Sequence, residues 1–383
     1  MGRDVNADNT VKFKVERDVF ADAVTWAAKN LPQRPIIPVL TGVLVTAESD
    51  GTVRLAFYDW EVSQRITIEA EVDAPGTFLV SGRLLADIAR ALPPQQVVLE
   101  LNNGKVDISC GSSRFSLMTM PVEEYPDLPT IPDTTGVVSA STFQHAVSQV
   151  AVAASRDDTL PILTSVRIEI EGDKVTLLAT DRYRLAVRQF TWNPRTPDFS
   201  ANALLRGKTL TEVAKSMSGD VEISLAESNG KEMLAFSSEG RVVTSLLIEG
   251  DYPKVRSLFP KESTISAVLQ VGALREAVRR VSLVAERNTP IKFEFADGSL
   301  VLRAGAGDDA QASEALPATI EGGDILTGFN PNYISEGLNA IDTPYVRFSL
   351  TDPKKPVVIS GMQEPDGEVD SAYRYLLMPI LRF

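Results

Sequence analysis

The chain has 383 residues, of which 44% are hydrophobic and 23% charged, values typical of a soluble globular protein with about two to four domains. Its 51 acidic and 38 basic residues give a formal charge of −13, which by itself argues against a surface that binds polyanions such as DNA or an anionic membrane. A single cysteine, Cys110, and a single histidine, His145, exclude a disulfide scaffold and a His/Cys zinc site, and we expect no metal and no cofactor.

Residues 1–10, MGRDVNADNT, are polar and lack the apolar stretch of a signal peptide, so we expect a disordered extension there. No apolar run elsewhere approaches the roughly 20 residues that span a bilayer. Together with the single cysteine, these features predict a cytoplasmic protein with no membrane partner.

Six segments along the chain have apolar residues at helical spacing. They are residues 17–31, 81–92, 139–156, 206–217, 271–287 and 330–341. Ser81 stands at the start of the second segment, where a serine side chain commonly caps a helix. We therefore predict two helices in each third of the chain, with Ser81 as an N-cap.

Between the helices lie short segments that alternate polar and apolar residues or are rich in β-branched residues, as strands are. The clearest are residues 64–72, 97–101, 166–170, 175–179, 221–225, 292–295 and 346–350. Turn sequences such as Asn103-Gly104 and Asp297-Gly298 separate successive strands, as antiparallel hairpins require. The pattern predicts an α+β fold in which two helices cover one face of an antiparallel sheet in each unit.

Matches at a nearly constant spacing indicate three internal repeats. Residues 38–43 (PVLTGV) match residues 161–166 (PILTSV), and residues 80–83 (VSGR) correspond to 205–208 (LRGK) and 329–332 (FNPN). We expect three similar domains, and their limits are 11–130, 136–258 and 263–383.

The charge is unevenly distributed along the chain. The six helical segments sum to +5, which leaves −18 for all other residues. Nine of the basic residues in these segments are our DNA-binding candidates: Arg83, Arg90, Arg156, Lys208, Lys215, Arg275, Arg279, Arg280 and Arg287. Composition alone leaves two interpretations open, a helix-lined surface that faces phosphates or ordinary solvated cations on helices.

Three motifs, together with the threefold α+β repeat, resemble one known family. They are Ala179–Val187 (ATDRYRLAV), Ser113–Leu117 (SRFSL) and Tyr375–Pro379 (YLLMP). The chain resembles the bacterial sliding clamps, the β subunits of the DNA polymerase III holoenzyme, from about residue 11 to its end. The segments 79–85 and 156–161 are most similar to actinobacterial members.

The resemblance implies the DNA clamp fold, with three domains per chain and a head-to-tail homodimer that closes into a ring lined by helices. It implies a processivity factor, not an enzyme, that encircles double-stranded DNA without sequence preference. The implied partners are the DNA polymerase III α subunit, the clamp loader, and other polymerases and repair proteins, which bind through short peptides.

The resemblance places the peptide-binding cleft between the second and third domains. The residues at the family's cleft positions are Leu163, Thr180, Arg182, Tyr183, Arg184, Leu185, Pro253, Leu258, Asn330, Tyr333, Leu376, Leu377, Met378, Pro379 and Ile380. Apolar pockets of this kind accept the Leu or Phe anchors of an extended peptide. Without the resemblance, an ordinary buried strand is the simpler interpretation of the C-terminal run.

The resemblance also implies positions for DNA and for a second copy of the chain. Arg34 matches a DNA-contacting loop position of the family. The dimer contact is expected between the third domain of one chain and the first domain of the other. Phe115 and Leu117 are our interface candidates, because they lie on a predicted edge strand of the first domain and an exposed apolar edge needs a partner.

Three alternatives remain open at this stage. The chain ends Met378-Pro379-Ile380-Leu381-Arg382-Phe383, with an extra apolar residue relative to the usual family terminus, which fits a duplicated clamp paralogue whose altered cleft resists a cleft-binding inhibitor. An enzyme would need Asp59 and Asp181 as paired carboxylates, although Asp at such positions commonly completes a turn. A repeat scaffold that binds only proteins would make the helix charge incidental.

Overall fold

The computed structural model describes residues 10–32, 35, 37–228, 231–286, 289–305 and 310–380. The chain divides into two compact units. Unit 1 comprises Met1–Val137 and Met217–Leu246, and unit 2 comprises Val138–Ser216 and Leu247–Phe383. The second sequence repeat therefore contributes to both units. The extension predicted at residues 1–10 lies, apart from Thr10, outside the described residues.

The strands of the first third are β1 (Val11–Val15), β2 (Gly42–Ala47), β3 (Thr52–Tyr58), β4 (Val62–Glu69), β5 (Glu71–Ala74), β6 (Gly76–Ser81), β7 (Val97–Asn102), β8 (Lys105–Cys110) and β9 (Ser113–Met120). Those of the middle third are β10 (Gly136–Ser139), β11 (Ser165–Glu171), β12 (Lys174–Thr180), β13 (Arg184–Thr191), β14 (Asn193–Pro194), β15 (Ser200–Arg206), β16 (Asp220–Ser228), β17 (Lys231–Ser238) and β18 (Arg241–Leu246). The last third holds β19 (Ile265–Gln270), β20 (Ile291–Ala296), β21 (Ser299–Ala304), β22 (Ala312–Pro317), β23 (Thr319–Glu321), β24 (Ile325–Phe329), β25 (Tyr345–Leu350), β26 (Val357–Met362) and β27 (Tyr373–Leu377).

Six α-helices are present among the described residues, two in each third of the chain as predicted. They are α1 (Arg17–Ala28), α2 (Gly82–Ala91), α3 (Ala140–Ala151), α4 (Gly207–Ser216), α5 (Val271–Val281) and α6 (Pro331–Asn339). Helix α1 packs against α2 in unit 1, and in unit 2 α3 packs against α4 and α5 against α6. None of the helices in the described ranges has the length and apolar character needed to cross a membrane.

The capping role predicted for Ser81 is wrong, because its side chain makes no capping hydrogen bond to α2. Two other helices are capped by side chains. The hydroxyl of Ser139 accepts from the backbone N–H of Thr142 at the start of α3, and the Asn330 side chain accepts from the backbone N–H of Asn332 at the start of α6.

Close packing of a glycine explains the repeated motif at the start of α2 and α4. A Cβ on Gly82 would lie 2.4 Å from Cδ1 of Leu31, and a Cβ on Gly207 would lie 3.0 Å from Cβ of Ala154. At contacts this short an added Cβ would force the neighbouring side chains to shift. The glycine lets the second helix of the repeat begin directly beside the chain that follows the first helix.

The strand pairs described below are antiparallel, as the hairpin turns predict. In unit 1 the strands follow one another in the order β16-β17-β18-β4-β3-β2-β6-β9-β8-β7-β1-β5. Unit 2 contains a nine-stranded sheet, β15-β11-β12-β13-β27-β26-β25-β19-β23, and a four-stranded sheet, β22-β21-β20-β24. The turn residues Asn103 and Gly104, with φ of 48° and 75°, adopt the left-handed conformation that a tight hairpin needs.

Strand β27 lies in the interior of the nine-stranded sheet, between β13 and β26. Its register places Leu376 opposite Leu185 of β13, so a residue of the third repeat packs beside one of the second. Both side chains are buried. This junction inside unit 2 positions the candidate site.

Candidate partner-binding cleft

The loop between β12 and β13 is held in one conformation by hydrogen bonds among its own residues. One carboxylate oxygen of Asp181 accepts from the backbone N–H groups of Tyr183 and Arg184, each at 3.0 Å. The Thr180 hydroxyl donates to the backbone oxygen of Arg184 at 2.6 Å. Arg182 has a φ of 79°, a left-handed conformation that costs a non-glycine residue about 1 kcal/mol. Asp181 therefore completes a turn, as its position predicts.

A buried apolar cluster lies next to this loop. Leu185 is 1% exposed and Leu376 is 2% exposed. The other buried members are Leu178, Val187, Leu204, Tyr252 and Val255, and Ile162, Ile248 and Phe259 pack against them while partly buried. The Tyr252 hydroxyl accepts from the backbone N–H of Thr180 at 3.0 Å, which ties the loop to the cluster. Burial raises the pKa of Tyr252, so its hydroxyl stays protonated.

Exposed apolar side chains surround the buried cluster. Tyr183 is 55% exposed, Leu258 is 51% exposed and Met378 is 36% exposed. The backbone N–H of Met378 donates to the backbone oxygen of Tyr183 at 2.8 Å, and that of Ile380 donates to Gly328 at 2.8 Å. The segment after β27 is thus fixed beside the loop, with apolar groups available to a partner.

Arg184 is almost fully buried, and its guanidinium group has several partners. Its Nε lies 2.9 Å from a carboxylate oxygen of Asp181, and one terminal nitrogen, Nη1, donates to Glu336 and to the hydroxyl of Tyr375. The guanidinium carbon lies 4.3 Å from the centroid of the Tyr333 ring. Burial by itself lowers the pKa of Arg184, but Tyr375, Glu336 and Asp181 raise it more, so the charge is retained.

A cavity of about 490 Å³ opens beside this arginine. The rings of Tyr183 and Tyr333 stack at one side of it, with centroids 6.2 Å apart. Burial and the neighbouring Asp181 raise the pKa of Tyr333. Arg156 reaches in from the second repeat and lies 2.8 Å from Glu336. The lining is polar with an aromatic wall, a combination that suits the polar side chains of a bound peptide.

All fifteen predicted cleft residues lie in unit 2. Leu163, Thr180, Arg184, Leu185, Leu376 and Leu377 are buried. Arg182, Tyr183, Pro253, Leu258 and Met378 are exposed, and Asn330, Tyr333, Pro379 and Ile380 are half-buried. The structure gathers the loop, the end of β27 and the start of α6 around one cavity and one cluster. The peptide-binding role of these residues stays a prediction.

The sequence analysis missed two residues of this region. Glu336 lies one helical turn after Tyr333 and pairs with both Arg156 and Arg184. Phe259 packs against the buried cluster, and the Arg374 guanidinium carbon lies 4.3 Å from its ring centroid. The spacing of Glu336 from Tyr333 would have indicated a shared helix face, whereas nothing in the sequence singles out Phe259.

The basic helix residues do not behave as one group. The Arg83 side chain donates to the backbone oxygen of Leu31 at 3.0 Å, and the Arg275 side chain donates to that of Leu338 at 2.9 Å. These two arginines hold helix ends inside their own units. The exposed residues among the predicted helix cations are Arg83, Arg90, Arg156, Lys208, Lys215, Arg279 and Arg280, whereas Arg275 is half-buried. Arg34 and Arg287 lie outside the described residues.

Several exposed cations have acidic neighbours. Arg279 lies 2.8 Å from Glu276 of the same helix, and Arg280 lies 2.5 Å from Glu314 of β22. Glu314 and Glu276 raise the pKa of Arg280 above its usual range. Such exposed pairs are weak and are readily exchanged for other anions.

The predicted edge strand is present as β9. It pairs with β8 along its length, but with β6 only at Thr119 and Met120, so residues 113–118 leave one edge open within the described part of unit 1. Phe115 is 38% exposed, whereas Leu117 is 4% exposed and belongs to the core. Met118, which the sequence analysis did not select, is 67% exposed.

Three family models match the chain along most of its length. The N-terminal domain of the DNA polymerase III beta subunit matches residues 11–129, its central domain matches residues 137–254, and its C-terminal domain matches residues 256–380. The actinobacterial resemblance is confirmed by a beta sliding clamp of Streptomyces coelicolor, which is 52% identical over 97% of this chain and 99% of its own.

A second relative and a solved structure extend the comparison. The beta sliding clamp homolog GriR of Streptomyces muensis is 41% identical over 97% of this chain and 99% of its own. The crystal structure of the DNA polymerase sliding clamp from Bacillus subtilis has a TM-score of 0.90 and 27% identity, over 97% of this chain and 100% of that one. The chain therefore belongs to the DNA polymerase III β subunit family, the bacterial β sliding clamps.

Proposed function

We propose that the chain is a replication processivity factor that encircles double-stranded DNA and tethers DNA polymerases to it, with no reaction of its own. The observation that carries this proposal is the cleft of unit 2, where exposed Tyr183, Leu258 and Met378 border a buried apolar cluster. A surface of this kind fits a short extended peptide with apolar anchors. Membership of the sliding clamp family supports the same conclusion, and the site of action is the cytoplasm.

The partners proposed for the cleft are the DNA polymerase III α subunit, the clamp loader, and other polymerases and repair proteins. Each would dock a flexible peptide and compete with the others for one site. A tethered enzyme gains a high effective concentration at the DNA without any new contact to the bases. Each partner peptide therefore needs only a weak affinity for the cleft to keep its enzyme at the DNA.

We assign the contact with DNA to the exposed helix cations Arg90, Arg156, Lys208, Lys215, Arg279 and Arg280, together with Arg34 and Arg287. The pairs that several of these make with acidic neighbours are exposed and exchange easily. A lining of this type attracts phosphates weakly and without sequence preference, which allows sliding. Arg83, which is exposed, and the half-buried Arg275 stay candidates, although each also donates to a backbone oxygen at a helix end.

We further propose a homodimer that joins the first repeat of one chain to the third repeat of the other. The open edge of β9 supplies one half of the contact, with Phe115 and Met118 exposed on it. The other half is β22, the outer strand of its four-stranded sheet, and in the same repeat Leu283 is 78% exposed. Two open strand edges with exposed apolar groups are complementary by backbone hydrogen bonding.

Loading onto DNA circles tests the proposal. The clamp loader would place the protein on a nicked circular plasmid, and gel filtration would show co-elution of protein and DNA. Cutting the plasmid once should release the protein, because a ring slides off a free end. Retention after linearisation, at the same level as on the circle, would contradict topological binding. The matched control is a linearised plasmid whose two ends are each blocked by a bound protein, so that a ring cannot slide off.

A duplicated clamp with an altered cleft is the second candidate. The identity of 52% to the Streptomyces coelicolor beta sliding clamp exceeds the 41% to the homolog GriR, which supports the replication clamp. Growth with this chain as the sole clamp, measured with and without a cleft-binding inhibitor, distinguishes them. Either clamp sustains growth without the inhibitor, but only a resistant copy sustains it when the inhibitor is present.

A further inference from the structure

The first repeat contains a copy of the cleft loop. In unit 1, one carboxylate oxygen of Asp59 accepts from the backbone N–H groups of Glu61 and Val62, at 3.0 and 2.7 Å. Trp60, which follows Asp59, has a φ of 76°, close to the 79° of its equivalent Arg182. The backbone of residues 58–62 therefore repeats the turn of residues 180–184.

The groups that support this turn are repeated as well. The Tyr125 hydroxyl accepts from the backbone N–H of Tyr58 at 2.8 Å, as the Tyr252 hydroxyl does for Thr180. The backbone N–H of Leu246 donates to Glu61 at 2.9 Å, as that of Met378 does to Tyr183. Unit 1 thus holds the same scaffold that frames the cleft in unit 2, carrying different side chains.

Aromatic groups occupy the outer positions of this second loop. Trp60 is 52% exposed, whereas Trp26 and Trp192 are buried. Its ring lies 5.8 Å from that of Tyr58, tilted by 51°. A tryptophan in the left-handed region holds backbone strain of about 1 kcal/mol, and strain of this kind concentrates at binding sites. The exposed Trp60 ring, beside the ring of the half-buried Tyr58, is available to a partner.

The surroundings of these rings are acidic. Val122 and Leu128 pack with Tyr58 against one apolar cluster, so the segment 122–128 lies beside the aromatic pair. The exposed acidic residues are Glu123, Glu124 and Asp127 of this segment and Glu61 of the loop. The sequence contains no Lys or Arg between residues 115 and 155. Arg65 reaches this segment, but its partly buried guanidinium donates to the backbone oxygen of Pro129.

We propose that Tyr58, Trp60 and the acidic residues around them, here called the acidic aromatic surface, dock an extended basic peptide segment of a partner protein. An Arg or Lys of the peptide would lie over the Trp60 ring, where a cation is attracted to the π face. The carboxylates supply charge complementarity and repel nucleic acid, which excludes DNA as the occupant. At the equivalent position the cleft carries Arg182, so the two surfaces select different peptides.

Fluorescence anisotropy with labelled seven-residue peptides on the full chain tests this proposal. The probe alternates leucine with arginine, and its matched control alternates leucine with glutamate. We expect saturable binding of the arginine peptide alone, weakened by added salt. Trp60→Gly should weaken it about tenfold, because it removes the ring while glycine favours the left-handed backbone. Leu84→Ala, which trims an exposed apolar residue of unit 1 away from this surface, should have no effect.

Several outcomes would overturn the proposal. One is no binding of the arginine peptide at about 1 mM, a concentration that would half-saturate a site with a Kd of about 1 mM. Equal affinity for both peptides, or unchanged affinity in Trp60→Gly, would also contradict it. Loss of binding in Met378→Asp would place the peptide in the cleft instead. A change of sedimentation coefficient in Trp60→Gly with unchanged peptide affinity would identify a second copy of the chain as the occupant.

Discussion

The guanidinium carbon of Arg184 lies 4.3 Å from the centroid of the Tyr333 ring. Arg184 belongs to the second repeat and Tyr333 to the third, so a buried cation and an aromatic face join two repeats within unit 2. The same guanidinium pairs with Asp181 and Glu336. The cleft loop and the start of α6 are therefore held by one side chain.

Removal of this side chain should destabilise unit 2. Arg184→Met leaves the largely buried Asp181 carboxylate without its cation and Glu336 with Arg156 alone, and breaking a buried ion pair from one side costs about 3–5 kcal/mol. Urea unfolding followed by circular dichroism measures the loss. The double variant Arg184→Met/Asp181→Asn should recover part of it, since the uncompensated carboxylate is gone while the amide oxygen can still accept from the loop. Equal stability of the single variant and the parent protein would show that the network contributes nothing.

The cleft prediction is best tested at Met378, which is 36% exposed. Met378→Asp should weaken binding of a peptide from the polymerase α subunit at least about tenfold, because a carboxylate replaces an apolar contact. Its thermal midpoint should stay close to that of the parent. Leu326→Asp, at a residue of similar exposure on β24, is the matched control for peptide affinity. Leu185 is unsuitable for such a test because a charge there is buried.

The hydroxyls of Tyr252 and Tyr125 accept from the backbone of the two equivalent loops, and they should contribute about equally to the free energy of unfolding. Tyr252→Phe leaves the buried backbone N–H of Thr180 without its acceptor, which costs about 1–3 kcal/mol. Tyr125→Phe does the same to Tyr58 in unit 1. Chemical denaturation of each variant gives the two values. If only the Tyr252 change were costly, the two loops would not be equivalent supports.

Alkaline pH should unfold the protein through its buried tyrosines. Burial raises the pKa values of Tyr125, Tyr252, Tyr373 and Tyr375 above their unfolded value of about 10. Between the unfolded and folded pKa, the folded state holds protons that the unfolded state has lost, so stability is complete below about pH 10 and falls above it. Tyrosinate absorbance should rise in two phases, the second coinciding with loss of circular dichroism. A single phase before unfolding would contradict the burial of these hydroxyls.

The dimer should depend on the open edge of β9. Phe115→Asp places a charge on an exposed apolar position of that edge, so we expect monomers in sedimentation velocity at low micromolar concentration. Leu84→Asp, on the exposed face of α2, is the matched control and should remain dimeric. Persistence of the Phe115→Asp dimer would move the interface elsewhere.

The sequence predicted the fold because its signals are local and repeated. Helical spacing located six helices, and pairs such as Asn103-Gly104 located hairpins, since only certain residues tolerate the turn conformation. The cleft followed from family motifs rather than from periodicity. Leu185 and Leu376 became a single cluster only through strand pairing across the repeats, which spacing along the chain does not reveal.

The contacts and burial of individual side chains were harder to predict. Arg83 and Arg275 count as helix cations in the sequence, yet they turn to backbone oxygens, because a long side chain reaches partners that lie far away in sequence. Leu117 and Met118 are adjacent apolar residues, and the strand's pleat decides that the first is buried and the second exposed. The Ser81 cap failed because a favourable residue type does not guarantee the hydrogen bond.

The backbone passes between the two units three times, after residues 137, 216 and 246. A protease that cuts at any one of these crossings leaves two covalent links in place, so a nicked molecule keeps both units tethered. Neither unit corresponds to one continuous fragment that is obtained by truncation. Any attempt to express unit 1 alone therefore requires a new join between residues 137 and 217, with the intervening stretch of the second repeat removed.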